Sequence, residues 1–222
     1  MIRALIFDFD GLILDTEVPV YRSWKELYEQ HGCQLPLSTW AQFIGLTPGT
    51  LDPYASLEEQ LGRPVDHAAL GPKRQAREMA LLASQPIQPG VQAYLETAKR
   101  LGLKIGLSSS SSCEWVSGHL KRLDLYAYFE SLRAAEDVPR AKPDPALYLA
   151  VLSDLGIPPE QAIGLEDSPN GVLAAKRAGL FCVAVPNDVT RQLPLDKADM
   201  RIESLADLSL EALIARLERD GR

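Results

Sequence analysis

Apolar and polar positions alternate along this chain in two distinct rhythms. Residues 2–7 form a short, β-rich apolar run that ends abruptly in acids. Such a run predicts a strand buried on both faces, as in a parallel sheet. Comparable runs recur at Leu103–Leu107, Ala162–Leu165 and Phe181–Val185, with patterns of helical period between the later ones. Asp144-Pro145 and Ser168-Pro169 each place a capping side chain before a proline at the first helical position. Leu147, Val151 and Leu155 continue the first of these helices along one apolar face, and Gly156 stops it; the second ends at Gly179. Strands alternating with helices predict an α/β fold, a doubly wound parallel sheet.

Residues 16–84 break the alternation. Val20, Trp24, Leu27 and Tyr28 sit at helical spacing, and Gly32 supplies a stop. Further helical segments are expected around 38–44, 50–61 and 67–83, with no convincing strand. The expected organisation is a Rossmann-like core of residues 1–15 and 85–222, carrying residues 16–84 as an inserted α-helical cap.

Composition narrows the function. With 222 residues, the chain suits one large domain or one domain with a smaller insert. Acidic residues outnumber basic ones by 30 to 23, for a formal charge of −7. That balance argues against nucleic acid and against anionic membrane surfaces, both of which demand clustered Lys and Arg. The three cysteines, Cys33, Cys113 and Cys182, fit neither a zinc site nor a disulfide framework. Free thiols point to a reducing, cytoplasmic compartment. The N-terminal apolar run is too short for a signal peptide, and no later stretch is apolar and long enough to span a bilayer. With no long apolar surface helix in view, a monomer is expected.

The chemistry concentrates where strands end. Asp8 and Asp10 lie two residues apart beyond the first strand, so their side chains share a face. Glu166-Asp167 repeats the arrangement after Ala162–Leu165. A solvated turn or a helix N-terminus decorated with acids explains one such pair, but not two at the same sheet edge. In a parallel sheet all carboxyl ends lie together, where ligands bind. Clustered carboxylates repel unless a cation relieves them, and hard oxygen ligands suit Mg²⁺. Ser108-Ser109-Ser110-Ser111 follows the Leu103–Leu107 strand and offers hydroxyls to an anion, although serines also cap helices. Lys142, held extended by Pro143, could screen the acids, with Arg140 as a nearby alternative. Together these groups form the set that phosphoryl transfer requires: a carboxylate nucleophile, an acid/base, a metal and a cation.

With Asp8-Phe9-Asp10-Gly11, the serine loop at Ser109, Lys142-Pro143 and Glu166-Asp167-Ser168 in this order, the chain resembles the haloacid dehalogenase superfamily over essentially its whole length. Within it, the chain is similar to the β-phosphoglucomutase-like phosphatases with a helical cap. The resemblance implies Asp8 as nucleophile and Asp10 as general acid/base. It implies Mg²⁺ held by the Asp8 carboxylate, the Asp10 backbone carbonyl and the Asp167 carboxylate, with Glu166 as a further ligand or support. It also implies that Ser109, with Ser108 as the alternative, and Lys142 bind the phosphoryl group. Asn170 and Gly171 would shape the metal loop. Asp15, Thr16 and Glu17 would lie where cap joins core. Thr16, the cap loop Ile44-Gly45-Leu46-Thr47, Ser110 and Ser111 would meet the substrate.

The acid at position 10 argues against true dehalogenases and phosphonate-cleaving relatives. The mutases of the subgroup carry a histidine where this chain has Val20 and a cap arginine where it has Pro48. Their absence favours net hydrolysis over a phosphosugar mutase. The expected substrate is a small phosphorylated metabolite, a sugar phosphate first, then phosphoglycolate or a nucleotide monophosphate. A non-catalytic phosphosugar-binding protein would not need both a nucleophile and an acid/base. A receiver-like phosphoacceptor would lack the helical insert. Lys73 and Arg74 are expected on a solvated helix face rather than in the site. His31, His67 and His119 fit no metal pattern, and Trp24, Trp40 and Trp115 are expected to be packing residues.

Overall fold

The computed structural model describes residues 1–43 and 52–219. At its centre is a six-stranded, all-parallel sheet: β1 (Ala4–Phe7), β2 (Lys104–Ser108), β3 (Ser131–Arg133), β4 (Ala162–Glu166), β5 (Phe181–Ala184) and β6 (Met200–Arg201). The spatial order is β3-β2-β1-β4-β5-β6. The central strand β1 pairs Ala4 with Lys104 on one side and with Ala162 on the other. Strand order therefore reverses at β1, and the crevice beyond its carboxyl end is the switch point of the sheet.

Alternating residues of β1 enter different cores, which is why its sequence is apolar at nearly every position. Leu5 and Phe7 join a cluster with α5 (Val91–Arg100), α6 (Cys113–Arg122) and α9 (Leu210–Arg219). Ala4 and Ile6 join a second cluster with α7 (Ala146–Leu155) and α8 (Pro169–Arg177). Gly106 on β2 leaves the space that Val151 fills; a methyl there would collide with it.

A third apolar cluster lies in the helices that follow β1: α1 (Glu17–Gln30), α2 (Leu37–Phe43), α3 (Pro53–Leu61) and α4 (His67–Ala83). Trp24, Leu27, Tyr28, Leu35, Trp40 and Leu57 pack there, joined by Val189 from the loop after β5. Arg77 clamps Glu26 with two hydrogen bonds of 2.7 and 2.9 Å, tying α4 to α1. No described helix is long and apolar enough to cross a membrane.

The sequence reading and the structure differ at the margins. Strands β3 and β6 were not anticipated. They hold only three and two residues at the sheet edges and contain no apolar run of their own. Helix α7 begins at Ala146, so Pro145 rather than Asp144 takes the N-cap position. The Asp144 carboxylate still accepts from the Ala146 N–H at 3.1 Å. Ser168 caps α8 as expected, accepting from the Gly171 N–H at 3.2 Å.

Candidate functional site

The carboxyl ends of β1, β2 and β4 bring the motif residues together. Asp8 continues β1 by donating its N–H to the Leu165 carbonyl at 3.0 Å. The chain then turns sharply at Gly11, whose φ of 80° favours glycine. A methyl at Gly11 would overlap the Asp167 carboxylate and the Asn187 amide, so this turn can sit against them only as glycine.

Lys142 is the hub of the buried charges. Its ammonium donates to Asp8 Oδ1 and Glu166 Oε1, each at 2.6 Å, and to the Ser108 carbonyl at 2.8 Å. Burial pulls this ammonium towards neutrality, but Asp8 and Glu166 outweigh it and hold its pKa above the ordinary lysine range. The Tyr148 hydroxyl donates to the same Glu166 oxygen at 2.6 Å. The other oxygen, Glu166 Oε2, is buried without a hydrogen-bond partner. It lies against Gly171, where a methyl would take its place.

Asp8, Glu166 and Asp167 each present a carboxylate oxygen within 4.8 Å of the others, and all three are buried. Desolvation first, and the Glu166 charge second, push the Asp8 carboxyl up to about 8 despite Lys142. Asp167 is raised well above the carboxylate range by burial, then by Asp8 and Glu166. One ammonium against three carboxylates leaves negative charge in excess. A hard divalent cation suits that donor set, and it would give the orphaned Glu166 oxygen and its neighbours a compensating charge.

Asp10 stands apart from this trio. Ser111 Oγ donates to its Oδ2 at 2.6 Å and Ser109 Oγ at 3.4 Å, while the Trp115 indole N–H donates to Oδ1 at 2.9 Å. Its side chain is thus held apart from the buried trio by neutral donors from the β2–α6 loop and the first turn of α6. A crevice of about 630 Å³ opens over Asp8, Asp10 and Lys142, with Thr16, Ser110 and Ser111 in its wall. Glu17 also faces it; burial, then Asp10, Asp15 and Glu78, push this carboxyl up to about 7. Gly45, Leu46, Thr47 and Pro48 lie outside the described residues.

Three residues at this site escaped the sequence reading. Trp115, expected as packing, bonds Asp10. Tyr148 looks like one more apolar position on α7, yet it donates to Glu166. Asn187 donates to Asp167 Oδ2 at 2.8 Å. Asn187 was traceable: it follows β5 at the same sheet edge at which β1 and β4 deliver their acids. The alternative cation Arg140 is turned away, 82% exposed and paired with Asp144 at 3.0 Å. Arg74 is neither solvated nor at the acids. It bonds Ser23 at 3.0 Å, pairs with Glu78 and lies over the Trp24 ring.

The model of the haloacid dehalogenase-like hydrolases matches residues 5–185, from β1 to the end of β5. The chain belongs to the haloacid dehalogenase-like hydrolase family. The hydrolase is 49% identical to YhcW of Bacillus subtilis, which is named as a candidate phosphatase, over 98% of both chains. It is 29% identical to hexitol phosphatase B of Escherichia coli K12 over 96% of its own length and 97% of that protein's. The crystal structure of CbbY from Rhodobacter sphaeroides in complex with phosphate superimposes with a TM-score of 0.73 at 29% identity, covering 96% of the hydrolase and all of CbbY.

Proposed function

We propose that the protein is a Mg²⁺-dependent phosphatase that hydrolyses a small phosphorylated metabolite, a sugar or polyol phosphate, through an aspartyl-phosphate on Asp8. The observation that carries this reading is the contrast between two carboxylates at one strand end. Asp8 faces a buried ammonium, whereas Asp10, two residues on, is held by neutral donors. The first environment suits a nucleophile whose charge must be ionised and aimed; the second suits a group that gives and takes a proton.

In this reading Asp8 attacks phosphorus, and Asp10 protonates the departing alkoxide as the phosphorus–oxygen bond breaks. Asp10 then accepts a proton from the water that attacks the acyl-phosphate, releasing inorganic phosphate and restoring Asp8. Lys142 orients Asp8 and spreads the charge of the transferring group. Asp8 and Asp167, with the Asp10 backbone carbonyl, would hold Mg²⁺, and Glu166 would support them through Lys142. When bound, the ion neutralises the carboxylates and the developing phosphoryl charge. Residues 16–84 would act as the cap that encloses a small substrate. Val20 lines the crevice where the mutases of the resembling subgroup place a histidine, which supports hydrolysis over transfer back to the sugar. The substrate class draws on hexitol phosphatase B and on the CbbY structure that contains xylulose-1,5-bisphosphate.

Phosphate release from a panel of sugar, polyol, glycolate and nucleotide monophosphates, with Mg²⁺ and with chelator, tests the proposal. Release that requires the metal and is fastest on sugar or polyol phosphates is the expected result. Silence across the panel would sink it.

The metal-free protein should also show its charge excess in stability. A carboxyl with a folded pKa of about 8 against an ordinary value of 3.8 favours the fold only while protonated. Stability in chelator is therefore highest near pH 4 and falls as pH rises towards 8. Saturating Mg²⁺ at pH 8, at a hundredfold excess over Kd, should restore about 2.7 kcal/mol. For a chain of this length that is roughly a 5–10 °C rise in Tm, smaller at pH 5, where protons compete. Thermal melts with and without the ion check this, and a pH-independent melt unmoved by Mg²⁺ would remove the metal assignment.

A further inference from the structure

We infer that Trp115 is a positioning residue for the reaction: its indole N–H pins one oxygen of Asp10 and so fixes the orientation of the carboxyl group that serves as acid/base. The inference rests on the reading of Asp10 as the acid/base. Trp115 stands in the first turn of α6, where its own N–H donates to the Ser112 cap at 3.2 Å. Its ring meets His119 edge-on at 4.4 Å between centroids, and His119 in turn lies 6.1 Å from Phe9, beside Asp10 in the chain. Packing therefore sets the direction of the indole N–H, and that direction meets Asp10 Oδ1 at 2.9 Å.

The donors on the two Asp10 oxygens differ in kind. An indole nitrogen only donates, whereas a serine hydroxyl donates or accepts by rotating. Oδ1 accepts from the Trp115 N–H, a donor whose direction packing fixes. Oδ2 faces Ser111 at 2.6 Å and Ser109 at 3.4 Å, hydroxyls that can turn and so hold the carboxyl less firmly than the indole does. The indole N–H is thus the contact that sets the orientation of this carboxyl for proton transfer to the leaving oxygen. Without the indole N–H, the carboxyl can rotate about its side-chain bonds, and the populated geometry becomes less productive.

The test is the leaving-group dependence of kcat/KM with Trp115→Phe, over substituted phenyl phosphates from para-nitrophenyl to para-methylphenyl. A good leaving group departs with little help from an acid; a basic one depends on it. The expected loss is about tenfold for the para-methylphenyl ester, within the usual contribution of acid–base catalysis, and no more than about threefold for the para-nitrophenyl ester. A loss equal across the series, or no loss, overturns the inference, since a purely structural tryptophan would affect all esters alike. Asp10→Asn, measured in parallel, separates the two claims. If it keeps the wild-type slope, the acid/base reading itself fails. If it steepens the slope while Trp115→Phe does not, only the role of Trp115 fails. Should Trp115→Phe not fold, benzothienylalanine at position 115 keeps the bicyclic ring, replaces the N–H with sulfur and makes the same distinction.

Discussion

Asp8→Asn is expected to remove turnover by about four orders of magnitude or more, as for other covalent nucleophiles, while leaving the fold as stable as the parent or more so. The amide matches the carboxylate in shape but cannot attack phosphorus at a useful rate. The stability half of the prediction follows from the charge balance. Asp8 is pushed up from 3.8 to about 8 by burial and by Glu166, so in metal-free protein it costs stability that grows as pH rises between those values and is complete above them. Removing it leaves Lys142 paired with Glu166 at 2.6 Å. Single-turnover phosphate release and a melt in chelator measure both halves. Activity above about one part in a hundred of the parent rate would show that another group is the nucleophile.

Lys142→Met should be damaging in the opposite pattern, losing activity and stability together. The ammonium is 5% exposed and bonds Asp8, Glu166 and the Ser108 carbonyl. Removing one partner of a buried ion pair costs roughly 3–5 kcal/mol, because the remaining charges are left uncompensated. For this length of chain that corresponds to roughly 6–20 °C in Tm. Turnover should fall by about 10²–10³, the usual loss when a preorganised electrostatic contact is removed. Lys142→Arg should not rescue it. A planar guanidinium fork cannot replace a compact ammonium that points at three acceptors. Calorimetry with phosphate-release kinetics decides the matter. A Lys142→Met protein that melts like the parent would show that the buried carboxylates are protonated and that Lys142 does not hold them.

The contrast between the two variants matters because both residues meet in one 2.6 Å contact. A contact that merely held the fold together would give similar melts from either side. Excess negative charge predicts unequal ones: losing an acid relieves the cluster, and losing the base aggravates it.

Much of this protein was legible along the chain. Strands β1, β2, β4 and β5 were visible because a strand buried on both faces must be apolar at nearly every position. The acids beyond β1 and β4 stood out because nothing else in such a strand end calls for charge. Ser168 and Gly156 announced helix ends through local backbone requirements, which a few neighbouring residues set by themselves. Those signals, read in order, were enough to identify the family, and the family comparison bears that out.

What only the tertiary structure decided are contacts between residues distant in sequence. Strands β3 and β6 exist because an edge needs only a few residues to pair with a strand already formed, so their own sequences carry little signal. Tyr148 follows the apolar rhythm of α7, and only the packing of that helix on the sheet turns its hydroxyl onto Glu166. Trp115 is an aromatic residue on an amphipathic helix, indistinguishable from packing until α6 is seen to start beside Asp10, 105 residues away in the chain. Local sequence thus determined which residue types gather at the sheet edge, since periodicity and capping are short-range properties. The tertiary structure decided which donor meets which oxygen, since that depends on the relative placement of whole elements, which no short-range pattern encodes.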